Sequence, residues 1–560
     1  MDFIFSTQRG QVESQLAAFQ AIGLHEPAIA LQCSGTWGSL VATGSHYQGM
    51  NPLETSQALT IVLGDPLLAD IRPGNPEDRT ARTRQIEELL GDDTRRRAVR
   101  PHHPGALLRV CKYTGSYVCV TDAFGAAPLY FHRTPEADWI SSSPDLIAHS
   151  LGLQPSSIAL YELLINQHIN FPYTAYQDVY QLLPGRLYEN STSDGRTWWE
   201  PRSRGNLAIK RIEDFHELIE SNVRDTVKRI ARQVTGRGIA TLSAGRDAAG
   251  VCLVAREHLD FEARCLLASR NNEWLGALEN ARRIGLELTF IERSATHYTD
   301  VLLDSPLKLT SQNHWLGAHY ANSALRVGSN SNFVLGGYAA DSLLKARSLN
   351  YVARSKFIAS CPELAARHPW SLSPISELCS TELSEEIYNR RKRGFQLLGI
   401  DPDDSFQPSY GYPITKQISA MHLSCALRNA AQYEPFTTDA MLDLSMAAPQ
   451  SLKDDLRENP VGIFSVPDHR SLRHSTAMAV YQLMRRIAVR LPLESRWNAY
   501  RFSGPWSQRV RMEQDPRFNT ILNQVLQDEH TPEPIRNGKL QLDRSQKVAL
   551  IQGHTVRSAL

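Results

Sequence analysis

The chain has 560 residues, 42% of them hydrophobic and 21% charged, and 60 basic side chains against 59 acidic ones leave a net charge of +1. That length accommodates two to four domains of ordinary globular composition, and so even a charge balance argues against a surface that wraps nucleic acid. No run approaches the roughly eighteen apolar residues of a membrane span, and MDFIFSTQRGQ lacks the basic and long apolar regions of a signal peptide, so the default location is cytoplasmic.

Cys33, Cys111, Cys119, Cys252, Cys265, Cys361, Cys379 and Cys425 are scattered without a C-x-x-C pair. They read as reduced, mostly buried thiols, and no zinc site is suggested.

The first half reads as β-rich. VESQLAAF, ALLRVCKY, SYVCVTDAF and PLYFHRT are short apolar or aromatic runs broken by turn residues. The polar stretch between the first two offers one charged helix, IEELLGDDTRRRAVR, with the look of a solvated face. SSIALYELLINQHI predicts a helix with Ser156 and Ser157 available as caps. YQLLPGRLYE returns to extended chain, and SDGRTWWEPRSRGNLAI reads as a linker.

The second half changes character. IEDFHELIESNVRDTVKRIARQV has helical spacing. GIATL, FEARCLLAS and LELTFIE then alternate as strands with the helices AAGVCLVAREHL and NEWLGALENARRIG, which predicts a parallel sheet. The last two hundred or so residues look mostly helical, with no repeat or low-complexity tract.

Ligands of such sheets bind at the carboxyl ends of strands, where TLSAGRDAAG (241–250) sits. Ser243 supplies a hydroxyl, Gly245 lets backbone close on an oxyanion, and a helix start offers free N–H groups. Asp247 repels phosphate and makes sense as a Mg²⁺ ligand. The alternative is a capped helix in which Ser243 and Asp247 satisfy only backbone donors. LGGYAADSLL repeats the offer: Gly336 and Gly337 permit close approach, and Asp341 is a second carboxylate able to share Mg²⁺ with Asp247. Tyr338 is either a core aromatic or a phenol facing the ligand.

Several segments resemble asparagine synthetase B. DAFGAAPLYF (122–131) is similar to its D-R-F-G-x-x-P-L-Y-Y, ISSSPDLIAHSLGL (140–153) to F-A-S-E-x-K-A-L, and YQDVYQLLPGRLYE (176–189) to the segment closing its glutaminase domain. LSAGRDAAGV falls where that family has L-S-G-G-x-D-S-S, LGGYAADSLL where it has S-G-E-G-x-D-E-L, and YEPFTTDAMLDLSMAAP (433–449) resembles its P-F-L-D helix. The matches come in family order and span most of the chain.

The resemblance implies an α/β protein of two domains: an Ntn-hydrolase-like αββα sandwich over 1–200 and an adenine-nucleotide α-hydrolase (ATP-pyrophosphatase) domain over 210–530, with a tail at 531–560. It implies ATP and Mg²⁺ as cofactors. ATP would lie against Thr241, Leu242, Ser243, Ala244, Gly245, Arg246, Asp247, Leu267, Gly336 and Gly337, and the metal would bind Asp247 and Asp341. The chemistry is attack of a substrate carboxylate on the α-phosphate, release of pyrophosphate and capture of the acyl-adenylate by an amine.

Departures refine the expectation. Position 2 is Asp rather than the nucleophilic Cys, so the glutaminase half is expected to be inert. That loss resembles β-lactam synthetases, carbapenam synthetases and lasso-peptide cyclases, which close a ring on their own substrate. Tyr338 matches the G-Y-x-x-D of the β-lactam branch, where a Glu assists it; Glu377, Glu382, Glu385 and Glu386 are the partners considered. Ala244 replaces a Gly and is expected to obstruct close approach or to demand a φ that only Gly takes cheaply. Ala248 replaces a Ser. Asn498 stands where a late Lys is expected in LPLESRWNAYRFSG, and Arg501 either substitutes as a catalytic cation or is a surface charge. The expected activity is thus an AMP-forming ligase closing a lactam or macrolactam on a small-molecule or peptide precursor. A lasso cyclase would add a leader peptidase and a leader-binding protein as partners; neither nucleic acid nor membrane is expected. The alternatives are a catalytically silent scaffold and an ammonia-dependent amidotransferase.

Overall fold

The computed structural model describes residues 1–24, 27–72, 77–166, 168–190, 195–201, 209–267, 270, 272–294, 296–303, 311–312, 315, 331–344, 380–399, 422–458, 464 and 512–560. The first half contains β1 (Phe3–Ser6), α1 (Val12–Ala21), β2 (Ile29–Gly35), β3 (Gly38–Thr43), β4 (Leu53–Glu54), β5 (Ala58–Gly64), α2 (Ala81–Gly91), α3 (Asp93–Arg96), β6 (Gly105–Cys111), β7 (Tyr117–Val120), β8 (Tyr130–Arg133), β9 (Asp138–Ser141), α4 (Pro144–Leu151), α5 (Ser157–Asn166), β10 (Tyr180–Gln181), β11 (Arg186–Glu189) and β12 (Arg196–Thr197). The second contains α6 (Ile212–Gln233), β13 (Gly238–Thr241), α7 (Arg246–Ala255), β14 (Phe261–Leu267), α8 (Asn272–Ile284), β15 (Leu288–Glu292), α9 (His297–Leu303), β16 (Val334–Leu335), α10 (Ala340–Leu343), α11 (Thr381–Leu398), α12 (His422–Asn429), β17 (Gln432–Tyr433), α13 (Asp439–Ala447), α14 (Gln450–Glu458), α15 (Pro516–Gln527), α16 (Glu533–Arg536) and α17 (Arg544–Ser558).

The first half builds two antiparallel sheets, β10-β8-β9-β1-β3-β2 and β12-β11-β7-β6-β5-β4. Period-two alternation divides the first sheet between two cores. Phe3, Phe5, Leu40 and Ala42 join the layer shared with β5 and β6, whereas Ile4 and Val41 face the helices α1 and α4. Strand β5 is buried at every position, so ALTIVLG shows no alternation.

Three expectations are corrected here. VESQLAAF is helix α1: Gln15, Ala18 and Phe19 are buried at helical spacing. The charged helix is two helices. The longer, α2, is amphipathic, burying Ile86, Leu89 and Leu90 as well as Arg82, so only α3, which buries no residue, keeps the solvated face. The start of the supposed linker is strand β12, and Trp199 is buried with its indole N–H donating to Asp443 at 2.9 Å. Residues 193–194 and 202–208 of that stretch lie outside the described residues.

The second half is the expected α/β alternation. Its five-stranded parallel sheet runs β15-β14-β13-β16-β17. Helix α6 buries Phe215, Ile219, Val223, Val227 and Ile230, one stripe at three- and four-residue spacing. Residues 531–560 form α16 and α17; Val548, Ile551 and Val556 share a core with Ala159 and Leu163 of α5. Among the described residues no helix is long and apolar enough to cross a membrane, and the six described cysteines form no disulfide, four of them being buried.

Candidate functional site

Strand order makes β13 the switch point: the chain winds from it to β14 and β15 on one side, then returns to β16 and β17 on the other. Open parallel sheets take ligands in the crevice at the carboxyl ends of strands beside such a point. The loops leaving β13 and β16 are the two that the sequence singles out.

The first loop, Leu242 to Gly245, runs from the strand into α7, whose N-cap Gly245 has φ −75° and whose first turn carries Asp247. Its N-cap residue, Gly245, contributes no side-chain cap, and the first turn of α7 lies at the carboxyl edge of the sheet. Thr241 bonds across to β16, its hydroxyl donating to the Leu335 carbonyl at 3.3 Å. The Ser243 hydroxyl accepts the Gly245 N–H at 3.1 Å. Ser243 and Asp247 are half-buried. Leu242 and Leu267, at the ends of β13 and β14, are buried. The Arg246 side chain is buried and donates to the Leu456 carbonyl of α14.

Helix α8 grips this loop from one face. Glu273 accepts the Ala244 N–H at 2.9 Å, and the Asn280 amide donates to the Ser243 carbonyl at 3.1 Å. Between them Gly276 faces Ala244: a Cβ on Gly276 would stand 2.5 Å from the Ala244 Cβ. Residues 273, 276 and 280 share one helix stripe. The expected strain at Ala244 is therefore corrected. Ala244 is not among the described non-glycine residues with positive φ, and its methyl is buried against α8, in space that Gly276 leaves.

The second loop folds onto the first. A Cβ at Gly337 would meet the Ala248 backbone N at 2.9 Å and the Asp247 carbonyl carbon at 3.1 Å, so only glycine fits over the first turn of α7. Ala339 takes a left-handed φ of 72° before α10, which carries Asp341. Tyr338 is half-buried rather than a core aromatic.

Sequence reasoning missed Glu434, which follows β17 and is fully buried. Its carboxyl oxygens accept the Tyr338 N–H at 2.8 Å and a bond from the Gln432 amide. A Cβ at Gly336 would strike it at 2.2 Å. Burial pushes the Glu434 carboxyl up to about 8, against the lowering effect of those two donors. An isolated acid between a two-residue strand and a proline carries no periodic signal. Glu382, Glu385 and Glu386, considered as partners of Tyr338, lie exposed on α11; Glu377, Asn498 and Arg501 fall outside the described residues.

The network continues into the first half. His103 Nε2 accepts the Glu434 N–H at 3.2 Å, which leaves Nδ1 to donate to the Asp65 carbonyl at 2.9 Å. Burial pushes His103 down to about 4, so it is neutral. The Asp65 carboxylate pairs with Arg82 at 2.6 and 2.8 Å and accepts the Tyr433 hydroxyl at 2.6 Å. Burial alone would raise the Asp65 carboxyl; the Arg82 guanidinium overrides it and holds the group below its ordinary range. Asp2, in the position of the expected nucleophile, pairs with Arg428 of α12 at 2.6 Å and accepts the Ser142 hydroxyl at 2.8 Å.

Lys453 of α14 is another buried ionisable group that sequence reasoning passed over. Burial pushes its amine down to about 7, and its Nζ lies 3.4 Å from the Ser445 hydroxyl. Among the described residues no group of three or more His, Cys, Asp or Glu side chains is arranged to hold a metal ion.

No family model matches the chain, and no curated protein matches it. Among solved structures it is similar to the U34-tRNA thiolase NcsA from Methanococcus maripaludis with its [4Fe-4S] cluster, at 13% identity and a TM-score of 0.20, over 42% of this chain and 86% of that one. A likeness this slight carries no argument about fold or chemistry.

Proposed function

We propose that the chain is an ATP-dependent, AMP-forming ligase that adenylates a substrate carboxylate and closes a lactam or macrolactam on a small-molecule or peptide precursor. The observation that carries this reading is the seating of Gly337 on the first turn of α7, which joins the two loops at the sheet's switch point. The family resemblance of those loops, and of the segments before them, supplies the rest: an Ntn-like first domain without its nucleophile, followed by a nucleotide domain.

The residues fit ATP and Mg²⁺ in kind. The helix start at α7, with its dipole, and the Ser243 hydroxyl suit phosphate oxygens. Asp247 and Asp341 are hard oxygen donors, and phosphate oxygens would complete the shell of a Mg²⁺ they share. Such a metal supplies charge neutralisation on the departing pyrophosphate. The chain's own part is to orient the phosphates and to present the carboxylate in line with the α-phosphorus. Asp2 offers no thiol for glutamine hydrolysis, which fits an amine carried by the substrate itself.

One observation favours a second reading, a nucleotide-silent scaffold. The Ala244 and Gly245 N–H groups are taken by Glu273 and Ser243 of the chain itself.

Exchange of labelled pyrophosphate into ATP separates the two readings. Purified protein with Mg²⁺ is screened against amino-dicarboxylates and linear precursor peptides. Exchange that depends on one substrate class and is lost in Asp247→Asn supports the ligase and names its branch. No exchange, together with no calorimetric binding of millimolar nucleotide, makes the scaffold reading correct.

A further inference from the structure

We infer that the N-terminal half sets the position of the second loop through His103 and Glu434, which makes both of them positioning residues of the proposed nucleotide site. The inference rests on the ligase reading for its functional meaning, and on the geometry of β17 for its physical basis.

Strand β17 is two residues long and sits at the edge of the parallel sheet. So short a strand fixes its own register weakly. Each of three consecutive residues is instead tied to the first half. The Gln432 carbonyl accepts the Tyr47 hydroxyl at 3.0 Å, the Tyr433 hydroxyl donates to Asp65, and the Glu434 N–H donates to His103. The Tyr433 ring lies between those of Tyr47 and His103, with centroids 5.5 and 5.6 Å away. Glu434 passes this placement on by accepting the Tyr338 N–H, and Tyr433 adds to it by accepting the Gly336 N–H at 3.0 Å. The path from the two-sheet half to the loop is therefore four hydrogen-bonded groups long: Asp65, His103, Glu434 and Tyr338. All but Tyr338 are fully buried, so water offers no substitute for a lost partner.

A different tether provides the control. Glu162 of α5 and Arg390 of α11 form a buried pair at 3.5 Å, with Arg390 stacked 3.9 Å over the Tyr173 ring. This contact also joins the two halves but touches neither β17 nor the loops.

The test is amide hydrogen exchange on the full-length chain, read in peptides covering 334–344 and 430–438, beside equilibrium dialysis of ATP with Mg²⁺. His103→Phe is expected to speed exchange of the Tyr338 peptide and to weaken ATP binding, each by about tenfold for one buried hydrogen bond lost. His103→Gln, which keeps an acceptor and a donor, is expected to recover most of both. Arg390→Met is expected to lower the melting temperature and leave both unchanged. Equal effects of Arg390→Met and His103→Phe at matched loss of stability, or an unchanged Tyr338 peptide in His103→Phe, would overturn the inference. Tyr47→Phe, which removes one hydroxyl, replaces His103→Phe if the latter does not fold, with the same two outcomes. Should the wild-type chain bind no ATP while the exchange contrast holds, the ligase reading fails and the positioning role of His103 stands.

Discussion

The Cβ of Ala244 occupies the space that a side chain on Gly276 would need, since the two positions are 2.5 Å apart. The pair predicts a reversal of sign. Gly276→Ala in the wild-type background forces two methyl groups together and is expected to cost about 1–3 kcal/mol. In an Ala244→Gly background the same substitution is expected to stabilise by roughly 0.5–1 kcal/mol, because alanine is the better helix former in α8. Denaturant unfolding of the four proteins of the cycle measures the coupling directly. Additive effects would show that the loop and α8 do not touch.

Glu273 separates acceptor from charge. Replacing it by Ala leaves the buried Ala244 N–H without its acceptor and is expected to cost about 1–3 kcal/mol. Gln keeps an oxygen for that N–H and is expected to cost under about 1 kcal/mol. The comparison is made by urea unfolding at one pH; equal losses in the two variants would mean that the negative charge, not the hydrogen bond, holds the loop.

What the sequence made legible follows from periodicity and local turn chemistry. Strand β14 and helices α6, α7 and α8 were readable because each has its own period or start signal, and the two Gly-containing loops because they join such elements. Helix α1 was misread because VESQLAAF is apolar enough to pass for strand, and α2 because its charges hid one buried face. Glu434, His103 and Asp65 were not legible at all. Their roles arise from contacts across more than three hundred residues of sequence, as in the Glu434–His103 bond, and no local pattern encodes such a contact. The same is true of Gly276, whose place follows from its packing against Ala244 of another element.

The Asp65–Arg82 pair predicts an asymmetric response. Asp65→Asn leaves the buried Arg82 guanidinium without a counter-charge and is expected to cost about 3–5 kcal/mol. Tyr433→Phe removes one hydrogen bond to the same carboxylate and is expected to cost about 1.5–3 kcal/mol. Because both act on one group, the double variant is expected to lose less than the sum. Thermal unfolding of the three variants checks the order, and a larger loss for Tyr433→Phe than for Asp65→Asn would contradict the charge argument.

The pH dependence of stability isolates Glu434. Its carboxyl moves from 4.5 to about 8 on folding, so the folded chain holds a proton that the unfolded chain releases between those values. The resulting stabilisation is fully present below about pH 4.5 and is lost as pH rises through 8. His103, pushed down to about 4, acts in the opposite sense: its contribution is lost as pH falls from 6.5 towards 4. Lys453, pushed down to about 7, favours folding increasingly as pH rises from 7 to 10.5. A single stability profile sums these slopes, so the informative quantity is the wild type minus Glu434→Gln. That difference is expected to fall by several kcal/mol, to order of magnitude, between pH 5 and 8 and to flatten above. Urea unfolding at half-unit steps measures it. A difference that stays flat across this range would mean that Glu434 is already charged in the folded chain, accepting the Tyr338 N–H as a carboxylate, and that burial does not govern its proton.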